Sequence, residues 1–214
     1  MSGQSLSPEK ALIFRITHRD NVPWVLDHGL HCRESAHRDP QYVNIGNTEL
    51  IERRAQRAVE IEPFGNLSDY VPFYFTPYSP MLYNIKTGYG GIPPRDNEEI
   101  VIFVSSLYRL QELGRAFVFT NRHAYLKAAE YYNDLARLDQ IDWPLLRSRD
   151  FRRDPDDPDK FARYEAEALV HRHLPLDGLL GLVCYNMPTK TLIDGQVAER
   201  NLSLDVKALP GWYF

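Results

Sequence analysis

The sequence predicts an α+β fold built on a mixed or antiparallel β-sheet. Short β-branched and aromatic segments recur along the 214 residues, and each is bounded by Gly, Pro, Asn or Asp, which is the pattern of strands. Helical patterns fall between these segments, but they do not form the regular strand–helix–strand units of a doubly wound parallel sheet. No GxGxxG segment follows a strand and no GxxxxGKS/T segment occurs, so neither of these nucleotide-binding loops is expected.

The expected elements follow one another irregularly along the chain. Strands are predicted at residues 11–17, 70–76, 100–105, 116–120 and 181–185, and at the tail, 212–214. Helices are predicted at residues 22–28, 48–58 and 122–138, and from Asp157 and Pro158 onward. The helix at 22–28 follows Asn21 as its cap, has Pro23 in its first turn and ends before Gly29. Residues 122–138 show a 3.6-residue period that places one set of side chains on a single face: Tyr125, Ala128, Ala129, Tyr132 and Leu135.

The composition is that of a single soluble domain spanning residues 1–214. Hydrophobic residues make up 43% of the chain and charged residues 25%, which argues against bulk disorder. The net charge of −4 excludes a protein that coats nucleic acid by gross charge, but it leaves room for a local basic site. Only six of the 25 cationic residues are Lys, and the remaining Arg side chains suit bidentate binding of phosphates.

Cysteine and histidine spacing gives no indication of a metal site. Cys32 and Cys184 lie far apart without a CxxC motif, so neither a disulfide framework nor a zinc ribbon is expected. The pair His171 and His173 is better explained as surface histidines. The first ten residues, MSGQSLSPEK, lack the apolar segment of a secretory signal, and the apolar run at 178–185 is shorter than the ~20 residues of a membrane span. We therefore expect a cytoplasmic protein without a metal ion or a membrane partner.

Three polar segments carry candidate chemistry. Residues 147–163, RSRDFRRDPDDPDKFAR, hold six cations and five Asp around Phe151. Such a run is either a solvated, self-paired loop or an Arg cluster that binds single-stranded nucleic acid, with the ring stacking on a base. Arg53 and Arg54 lie near the end of the predicted helix at 48–58, where a solvated face is the simplest interpretation. Residues 15–18, RITH, place polar side chains at a strand end, where ligand sites often lie.

The segment YEAEALVH at residues 164–171 reads either as a helix or as a strand. In a helix, Glu167 and His171 share a side with Tyr164; in a strand, Glu167 and His171 share a face with Leu169. Glu165 and Glu167 are two residues apart, so both point the same way in a strand. Such a carboxylate pair can bind a sugar hydroxyl and stabilise a cationic transition state, although most such pairs are surface charges.

Six motifs extend through nearly the whole chain. They lie at residues 13–32 (IFRITHRDNVPWVLDHGLHC), 43–55 (VNIGNTELIERRA), 69–85 (DYVPFYFTPYSPMLYNI), 117–125 (FVFTNRHAY), 138–170 (LDQIDWPLLRSRDFRRDPDDPDKFARYEAEALV) and 211–214 (GWYF). Together these motifs, of which DYVPFYFTPYSPMLYNI is the most distinctive, resemble the DarT family, the DNA ADP-ribosyltransferase toxins of bacterial toxin–antitoxin pairs, in its thymidine-modifying branch.

The resemblance implies a fold similar to that of other ADP-ribosyltransferases, with a split, mixed β-sheet core, surrounding helices and NAD+ in the cleft. It also implies transfer of ADP-ribose from NAD+, the co-substrate, to a thymine base in single-stranded DNA. The catalytic glutamate of the family matches Glu167 and places it on a strand. Its carboxylate would hydrogen-bond the ribose 2′-hydroxyl and offset the positive charge that develops on the sugar. Glu165 is not the matched position and is interpreted as a surface residue.

The family's catalytic arginine, in the ERR triplet, matches Arg54. The resemblance implies that this arginine helps to remove the proton of the thymine ring. A guanidinium with a pKa above ~12 is a poor base, so we interpret Arg54 as a group that binds NAD+ phosphate, orients the thymine and stabilises the deprotonated ring. The first-strand NAD+-binding element of the family matches Arg15, Ile16 and Thr17, although many relatives have His in place of Arg15. Trp24 lies in the same matched region, where a core role is the alternative.

The resemblance places a substrate-recognition loop between about residues 122 and 166. It thereby assigns DNA binding to the basic cluster of that loop: Arg147, Arg149, Phe151, Arg152 and Arg153. The implied partners are single-stranded DNA and a macrodomain antitoxin, DarG, which removes the ADP-ribose and binds the toxin. The alternatives are an NAD+-dependent transferase that modifies protein or RNA, and an inactive nucleic-acid-binding domain. The presence of both Glu167 and Arg54 argues against the inactive domain.

Overall fold

An eight-stranded mixed sheet dominates the computed structural model, which describes residues 6–214, so the first half of MSGQSLSPEK lies outside the described residues. The strands are β1 (Leu12–His18), β2 (Leu30–His31), β3 (Tyr70–Tyr74), β4 (Ile100–Ser106), β5 (Phe117–Thr120), β6 (Tyr131–Tyr132), β7 (Glu167–His171), β8 (His173–Leu174), β9 (Gly181–Cys184) and β10 (Val206–Ala208). The α-helices are α1 (Val22–His28), α2 (Thr48–Ala55), α3 (Pro80–Thr87), α4 (Leu107–Glu112), α5 (Trp143–Ser148), α6 (Lys160–Tyr164) and α7 (Met187–Glu199).

The large sheet is divided near its middle. Its strand order is β10-β9-β4-β1-β3-β7-β5-β6, and β2 pairs with β8 in a separate small sheet. β1 pairs with β4 along its whole length, whereas β1 and β3 share the single register pair Phe14↔Tyr74. β9 and β10 run parallel, and the other neighbours run antiparallel. This split, mixed sheet with helices around it confirms the predicted fold class, and the two halves separate where β1 and β3 meet.

The strongest strand predictions are confirmed to within two residues. Segments rich in β-branched and aromatic residues became β1, β3, β4, β5 and β9, and all seven residues of β4 are buried. The helix predicted at 22–28 is α1, with Pro23 in its first turn and Gly29 at its carboxyl end, where φ is +76°. The helix predicted at 48–58 ends at Ala55, and the helix predicted from 157 onward begins at Lys160.

Two predicted elements are wrong. Residues 122–138 are not a helix: they contain turns, the short strand β6 paired with β5, and the start of a 3-10 helix at Leu135–Gln140. Their helical period is overridden because the backbone N–H of His123 donates to the carbonyl of Ala162, and β6 adds to the sheet edge. The tail is not a strand either, because it forms a 3-10 turn at Pro210–Trp212 that packs Trp212 edge-on against Phe14.

No helix among residues 6–214 combines the length and the apolar character needed to cross a bilayer.

Candidate active site

A buried ion pair joins Arg54 of α2 to Glu167 of β7, 113 residues apart in the chain. Arg54 Nη1 donates to Glu167 Oε1 at 2.9 Å, and Nη2 donates to Oε2 at 2.6 Å. The Glu167 side chain is 1% exposed and that of Arg54 is 15% exposed. The structure therefore brings together the two residues predicted to be catalytic, in the bidentate geometry that fixes both side chains.

Glu167 is the first residue of β7, and its neighbours on both sides hold it in place. Across the sheet it stands opposite Tyr74 of β3, and its backbone N–H donates to the Thr120 hydroxyl of β5 at 3.3 Å. Its Oε1 also accepts from the backbone N–H of Ala124 at 2.9 Å. The helix-or-strand ambiguity of residues 164–171 is thus resolved: α6 ends at Tyr164 and a strand begins at Glu167.

The cap and the spacing of α2 select Arg54 rather than its neighbour. The Asn47 side chain accepts from the backbone N–H of Leu50 at 2.9 Å and starts the helix. Successive helical residues point about 100° apart, so Arg53 and Arg54 cannot face the same way. Arg53 pairs with Glu49 on the exposed surface, whereas Arg54 reaches Glu167. Of the two arginines, Arg53 therefore lies on the solvated helical face that was expected from the sequence.

The electrostatics of the pair keep both groups charged. Burial acts to raise the pKa of Glu167, but the charge and hydrogen bonds of Arg54 outweigh it and hold that pKa below its ordinary value. Burial acts to lower the pKa of Arg54, and the Glu167 carboxylate more than reverses this effect. At neutral pH the site therefore holds an ionised, oriented carboxylate, while Arg54 stays a cation that cannot accept a proton.

Sequence reasoning missed two residues beside the carboxylate, His123 and Ala124. His123 Nδ1 lies 3.6 Å from Glu167 Oε1, and burial, the largest effect, lowers the pKa of this histidine. Ala124 contributes only its backbone N–H, which no side-chain pattern can indicate. The FVFTNRHAY motif was the available signal, but the helix predicted over 122–138 concealed that this segment turns towards β7.

Glu165 is not the surface residue expected from the sequence. It lies half-buried between α6 and β7 and lines a cavity of about 240 Å³ together with His123 and five other residues: Leu50, Tyr125, Leu126, Phe161 and Ala162. Burial and the negative charge of Glu167 raise the pKa of Glu165 to about 8, and Arg54 opposes this shift. The sequence could not indicate this, because α2, more than 100 residues earlier, supplies one wall of the cavity.

The residues predicted to bind NAD+ on the first strand form a second polar group. Arg15 and Thr17 alternate along β1 with buried Ile16, so only the backbone of Ile16 is available to a ligand beside them. Arg15 Nη1 donates to the carbonyl of Pro72 at 2.9 Å, and its buried Nε has no partner among the described residues. The positive charge of Arg15 acts on half-buried Tyr74, which stands directly opposite Glu167.

A loop residue that the sequence did not single out, Tyr42, covers this group. Its hydroxyl lies 3.0 Å from the Thr17 hydroxyl and accepts from Arg15 Nη2 at 3.4 Å. Asn21 holds the loop in place, because its side chain exchanges two hydrogen bonds with the backbone of Val43 and donates to Thr17. Asn21 was predicted as the cap of α1, but its side chain makes no capping bond.

Trp24 lies on α1, half-buried, with its ring against that of His28 at a centroid distance of 4.1 Å. Its predicted part in binding NAD+ stays a prediction.

The predicted DNA-binding residues divide into two groups. Arg147 Nη1 donates to the carbonyl of Leu6 at 3.0 Å, and Arg149 Nη1 donates to that of Gly211 at 2.9 Å. Arg152 is 86% exposed and pairs with Asp150, and the Arg153 guanidinium lies 5.8 Å from the centre of the Phe161 ring. All four arginines are exposed, but Arg147 and Arg149 each donate to a backbone carbonyl. Arg153 lies beside the cavity that Glu165 lines, because Phe161 is part of that lining.

Phe151 contacts a cluster of aromatic rings within the protein. The ring centroids of its neighbours lie between 5.3 and 6.5 Å away, and they are Tyr78, Tyr83, Phe161, Tyr164 and Phe214. Aromatic pairs at these separations add stability beyond the area that they bury. The stacking of Phe151 on a DNA base stays a prediction, while its contacts favour a structural role.

We expect Phe151→Ala to lower the free energy of unfolding by about 2–4 kcal/mol. This is somewhat less than is usual for Phe→Ala in a protein core, because Phe151 is half-buried. Chemical denaturation measures this change. Tyr89→Ala is the matched control, because Tyr89 is 68% exposed and its loss should change stability by less than about 0.5 kcal/mol. Weaker oligonucleotide binding at unchanged stability would instead support base stacking.

Within residues 6–214, no group of three or more His, Cys, Asp or Glu side chains is placed to hold a metal ion. Cys32 and Cys184 are both buried free thiols.

Comparison with known proteins places this site in a family. The sequence model of the DarT family, described as ssDNA thymidine ADP-ribosyltransferase, matches residues 14–214. A DNA ADP-ribosyl transferase of Escherichia coli O127:H6 (strain E2348/69 / EPEC) is 54% identical over 210 residues, which cover 98% of this chain and 96% of the relative. A DNA ADP-ribosyl transferase of Thermus sp. (strain 2.9) is 38% identical over 173 residues, 78% of each chain.

Solved structures agree with the sequence match. The structure of Thermus sp. 2.9 DarT in complex with ADP-ribosylated ssDNA superposes with a TM-score of 0.89 at 30% identity, covering 97% of this chain and 98% of that chain. The complex of the same protein with NAD+ gives a TM-score of 0.84 at 29% identity, covering 97% and 99%. With the split sheet and the Arg54–Glu167 pair in place, the chain therefore belongs to the DarT family of ssDNA thymidine ADP-ribosyltransferases.

Proposed function

We propose that this protein is a toxin that transfers ADP-ribose from NAD+ to thymidine bases in single-stranded DNA and thereby blocks replication in the bacterial cytoplasm. Residues 1–214 act as one catalytic domain. The observation that carries the proposal is the buried, bidentate pair of Arg54 and Glu167 at the start of β7. Family membership supports the reaction, and the Thermus sp. 2.9 relative has been seen with NAD+ and with ADP-ribosylated ssDNA.

Glu167 acts on the ribose of NAD+. Its carboxylate accepts a hydrogen bond from the 2′-hydroxyl and stabilises the positive charge that grows on the sugar as the bond from C1′ to nicotinamide breaks. The bonding electron pair leaves with nicotinamide, a thymine ring nitrogen forms the new bond to C1′, and that nitrogen loses its proton. Arg54 keeps Glu167 ionised and oriented, and Ala124 supports the same carboxylate through its backbone N–H.

The polar group on β1 suits an anionic, hydroxyl-rich ligand such as NAD+. Arg15 has a buried N–H without a partner among residues 6–214, and the hydroxyl of exposed Tyr42 lies over the buried Thr17 hydroxyl at 3.0 Å. A guanidinium matches phosphate oxygens, and hydroxyl groups match ribose. We therefore assign NAD+ binding to Arg15, Thr17 and the backbone of Ile16, with Trp24 on the adjoining helix.

Single-stranded DNA approaches along residues 147–153. Arg153, beside Phe161 and the Glu165 cavity, supplies the best-placed phosphate contact, and exposed Arg152 supplies a second. Arg147 and Arg149 hold this segment against Leu6 and Gly211, so they position the loop as well as adding to its positive charge.

We expect Arg153→Ala to weaken binding of a thymidine-containing single strand and to flatten its salt dependence. Each lost phosphate contact lowers the log–log slope against salt concentration by about 0.7. Fluorescence anisotropy titrations at salt concentrations between about 50 and 200 mM measure this slope. Arg115→Ala removes the same charge from an exposed position at the far end of β5 and serves as the control. Equal slopes for the two variants would remove Arg153 from the DNA interface.

Mass spectrometry tests the reaction itself. The protein is incubated with NAD+ and, in parallel, a single strand that contains thymidine, a strand without thymidine, an RNA and a protein extract. The proposal expects added ADP-ribose on the thymidine-containing strand. Modification of RNA or protein alone would assign a different acceptor, and the absence of any modification would reject the transferase.

The toxin role requires a partner that reverses it. We propose a macrodomain antitoxin, DarG, which removes ADP-ribose from the base and binds the toxin; the resemblance to paired toxins supports this partner. Expression of this chain in bacteria should arrest growth and DNA synthesis, and co-expression of the macrodomain should restore both. Arrest that the macrodomain fails to relieve would contradict the pairing.

A further inference from the structure

The cavity that Glu165 lines is small, mostly apolar and partly open to solvent, so it suits a single flat ring better than a whole nucleotide. Its volume of about 240 Å³ falls below the roughly 300–1,000 Å³ of pockets that hold drug-sized ligands, so it does not enclose a dinucleotide. Most of its lining is apolar or aromatic, and Glu165 is the only carboxylate in that lining. Enzymes that modify a nucleobase hold it between such side chains and read its Watson–Crick edge by hydrogen bonds.

The cavity adjoins the Arg54–Glu167 pair. His123 lines it and also lies 3.6 Å from Glu167. Leu50, another lining residue, lies one helical turn before Arg54 on α2, so both side chains lie on the same side of that helix. A ring in the cavity therefore contacts His123, and this side chain separates it from the carboxylate that acts on the ribose.

Building on the proposed function, we infer that this cavity receives the target thymine and that the Glu165 carboxylate accepts the proton from its N3. In thymidine, N1 carries the deoxyribose, so N3–H is the ring N–H that remains and it lies on the Watson–Crick edge. A carboxylate is the acceptor that matches this donor. Neither Glu167, whose role is on the sugar, nor Arg54 is needed for the proton.

The other polar groups at the site are unsuited to this role. Arg54 is a permanent cation, and both oxygens of Glu167 accept hydrogen bonds from Arg54. The Nδ1 of His123 accepts from the backbone N–H of Tyr125 at 3.2 Å, and burial makes this imidazole a weaker base. Among the described residues that line the cavity, Glu165 is the one that carries a carboxylate.

The surroundings of Glu165 adjust its proton affinity to the task. Burial and the charge of Glu167 raise its pKa to about 8, and the charge of Arg54 partly offsets them. Tyr74, from β3, and His123 and Tyr125, from the cavity wall, are the other titratable groups near it. Burial raises the pKa of Tyr74 and lowers that of His123, so it disfavours the charged form of each. A general base is most effective when its pKa lies near the operating pH.

The step balances without a further reactant. The N3–H bond breaks and its proton passes to a Glu165 oxygen, while the electron pair of N3 forms the bond to ribose C1′. The bond from C1′ to nicotinamide breaks, and nicotinamide leaves with that pair. Protonated Glu165 then releases its proton to solvent once the modified base has left the cavity.

Glu165→Gln tests the inference, because glutamine keeps the shape of the side chain and cannot accept the proton. We expect transfer to a thymidine strand to fall by about 10²–10⁴-fold, the usual contribution of a general base. In the parental protein the rate should rise with pH through about 8, whereas the rate of the variant should lack this inflection. Glu165→Asp should retain the inflection at a lower rate.

A change of substrate separates proton transfer from packing. 5-Fluoro-2′-deoxyuridine carries a more acidic N3–H than thymidine, so a strand that contains it should recover much of the lost rate in Glu165→Gln. A packing defect would slow both strands equally. If the glutamine variant proves unstable, Glu165→Ala with added formate replaces it, and rescue by formate is expected on the thymidine strand.

A thermal measurement identifies the carboxyl that titrates. The pKa of Glu165 is raised in the folded state, so its ionisation costs stability as pH rises from about 5 to above 8. As pH rises across this range, the melting temperature of Glu165→Gln should therefore increase relative to that of the parental protein.

If the parental protein modifies thymidine and Glu165→Gln keeps its rate and its pH profile, the inference is overturned and the proposed function stands. If the parental protein modifies no thymidine, the proposed function fails first.

Discussion

Glu167→Gln is expected to reduce ADP-ribose transfer by on the order of 10³-fold or more. The substitution replaces an ionised carboxylate with a neutral amide at the atom that faces the developing positive charge, and losing one preorganised contact of this kind commonly costs 10²–10³ in rate. The effect should exceed that range because the new amide NH₂ group also faces the guanidinium of Arg54. Both groups are hydrogen-bond donors, so one of the two hydrogen bonds that hold the side chain is lost. Single-turnover transfer to a thymidine strand measures the loss.

Folding must be measured on the same variant. Glu167 is 1% exposed and pairs with Arg54, and removing one partner of a buried ion pair costs about 3–5 kcal/mol. Glu60→Gln makes the same change on an exposed side chain and should retain parental turnover and stability. A folded Glu167→Gln protein, judged by its melting curve, that still transfers ADP-ribose at the parental rate would exclude the role proposed for Glu167.

The parts of the fold that the sequence could predict are those that local composition determines. β4 and β1 are runs of β-branched and aromatic residues, and such runs become buried strands with few alternatives. The segment at 122–138 has an equally regular period, but its structure is decided by long-range contacts, such as the bond from His123 to Ala162 and the pairing of β6 with β5. Local pattern therefore predicted the wrong element there.

The candidate site shows the same division. Residue type and spacing alone left Glu167 and Arg54 as surface charges, and the family resemblance singled them out. The structure brings the two side chains together, and their catalytic roles stay a prediction. Residue type, spacing and resemblance were not enough for Glu165, whose properties depend on burial beside a second carboxylate and against a wall from α2. The sequence alone does not distinguish a glutamate on the surface from one that accepts a proton, because the burial and the neighbours of the side chain are determined by the fold.

Arg54→Ala should lower transfer by about 10²–10³-fold and add a second ionisation to the pH dependence of the remaining activity. In the parental protein, Arg54 outweighs the effect of burial and holds the pKa of Glu167 below its ordinary value, so this carboxylate is ionised from mildly acidic pH upward. Without the guanidinium, burial acts unopposed by that charge and the pKa of Glu167 rises. We therefore expect the pH profile of Arg54→Ala to show a second ionisation, that of Glu167, at a higher pH than in the parental protein.

Arg54→Lys separates charge from geometry in the same assay. Lysine restores a positive charge and should bring the pKa of Glu167 back down, which removes the added ionisation. A single ammonium cannot reproduce the two parallel hydrogen bonds of 2.9 and 2.6 Å, so the rate should stay well below parental. Arg53→Ala, one residue earlier and paired with Glu49 on the surface, is the control and should leave transfer within about twofold. Parental rates in Arg54→Lys would show that a positive charge alone suffices and that the bidentate contact with Glu167 does not limit the reaction.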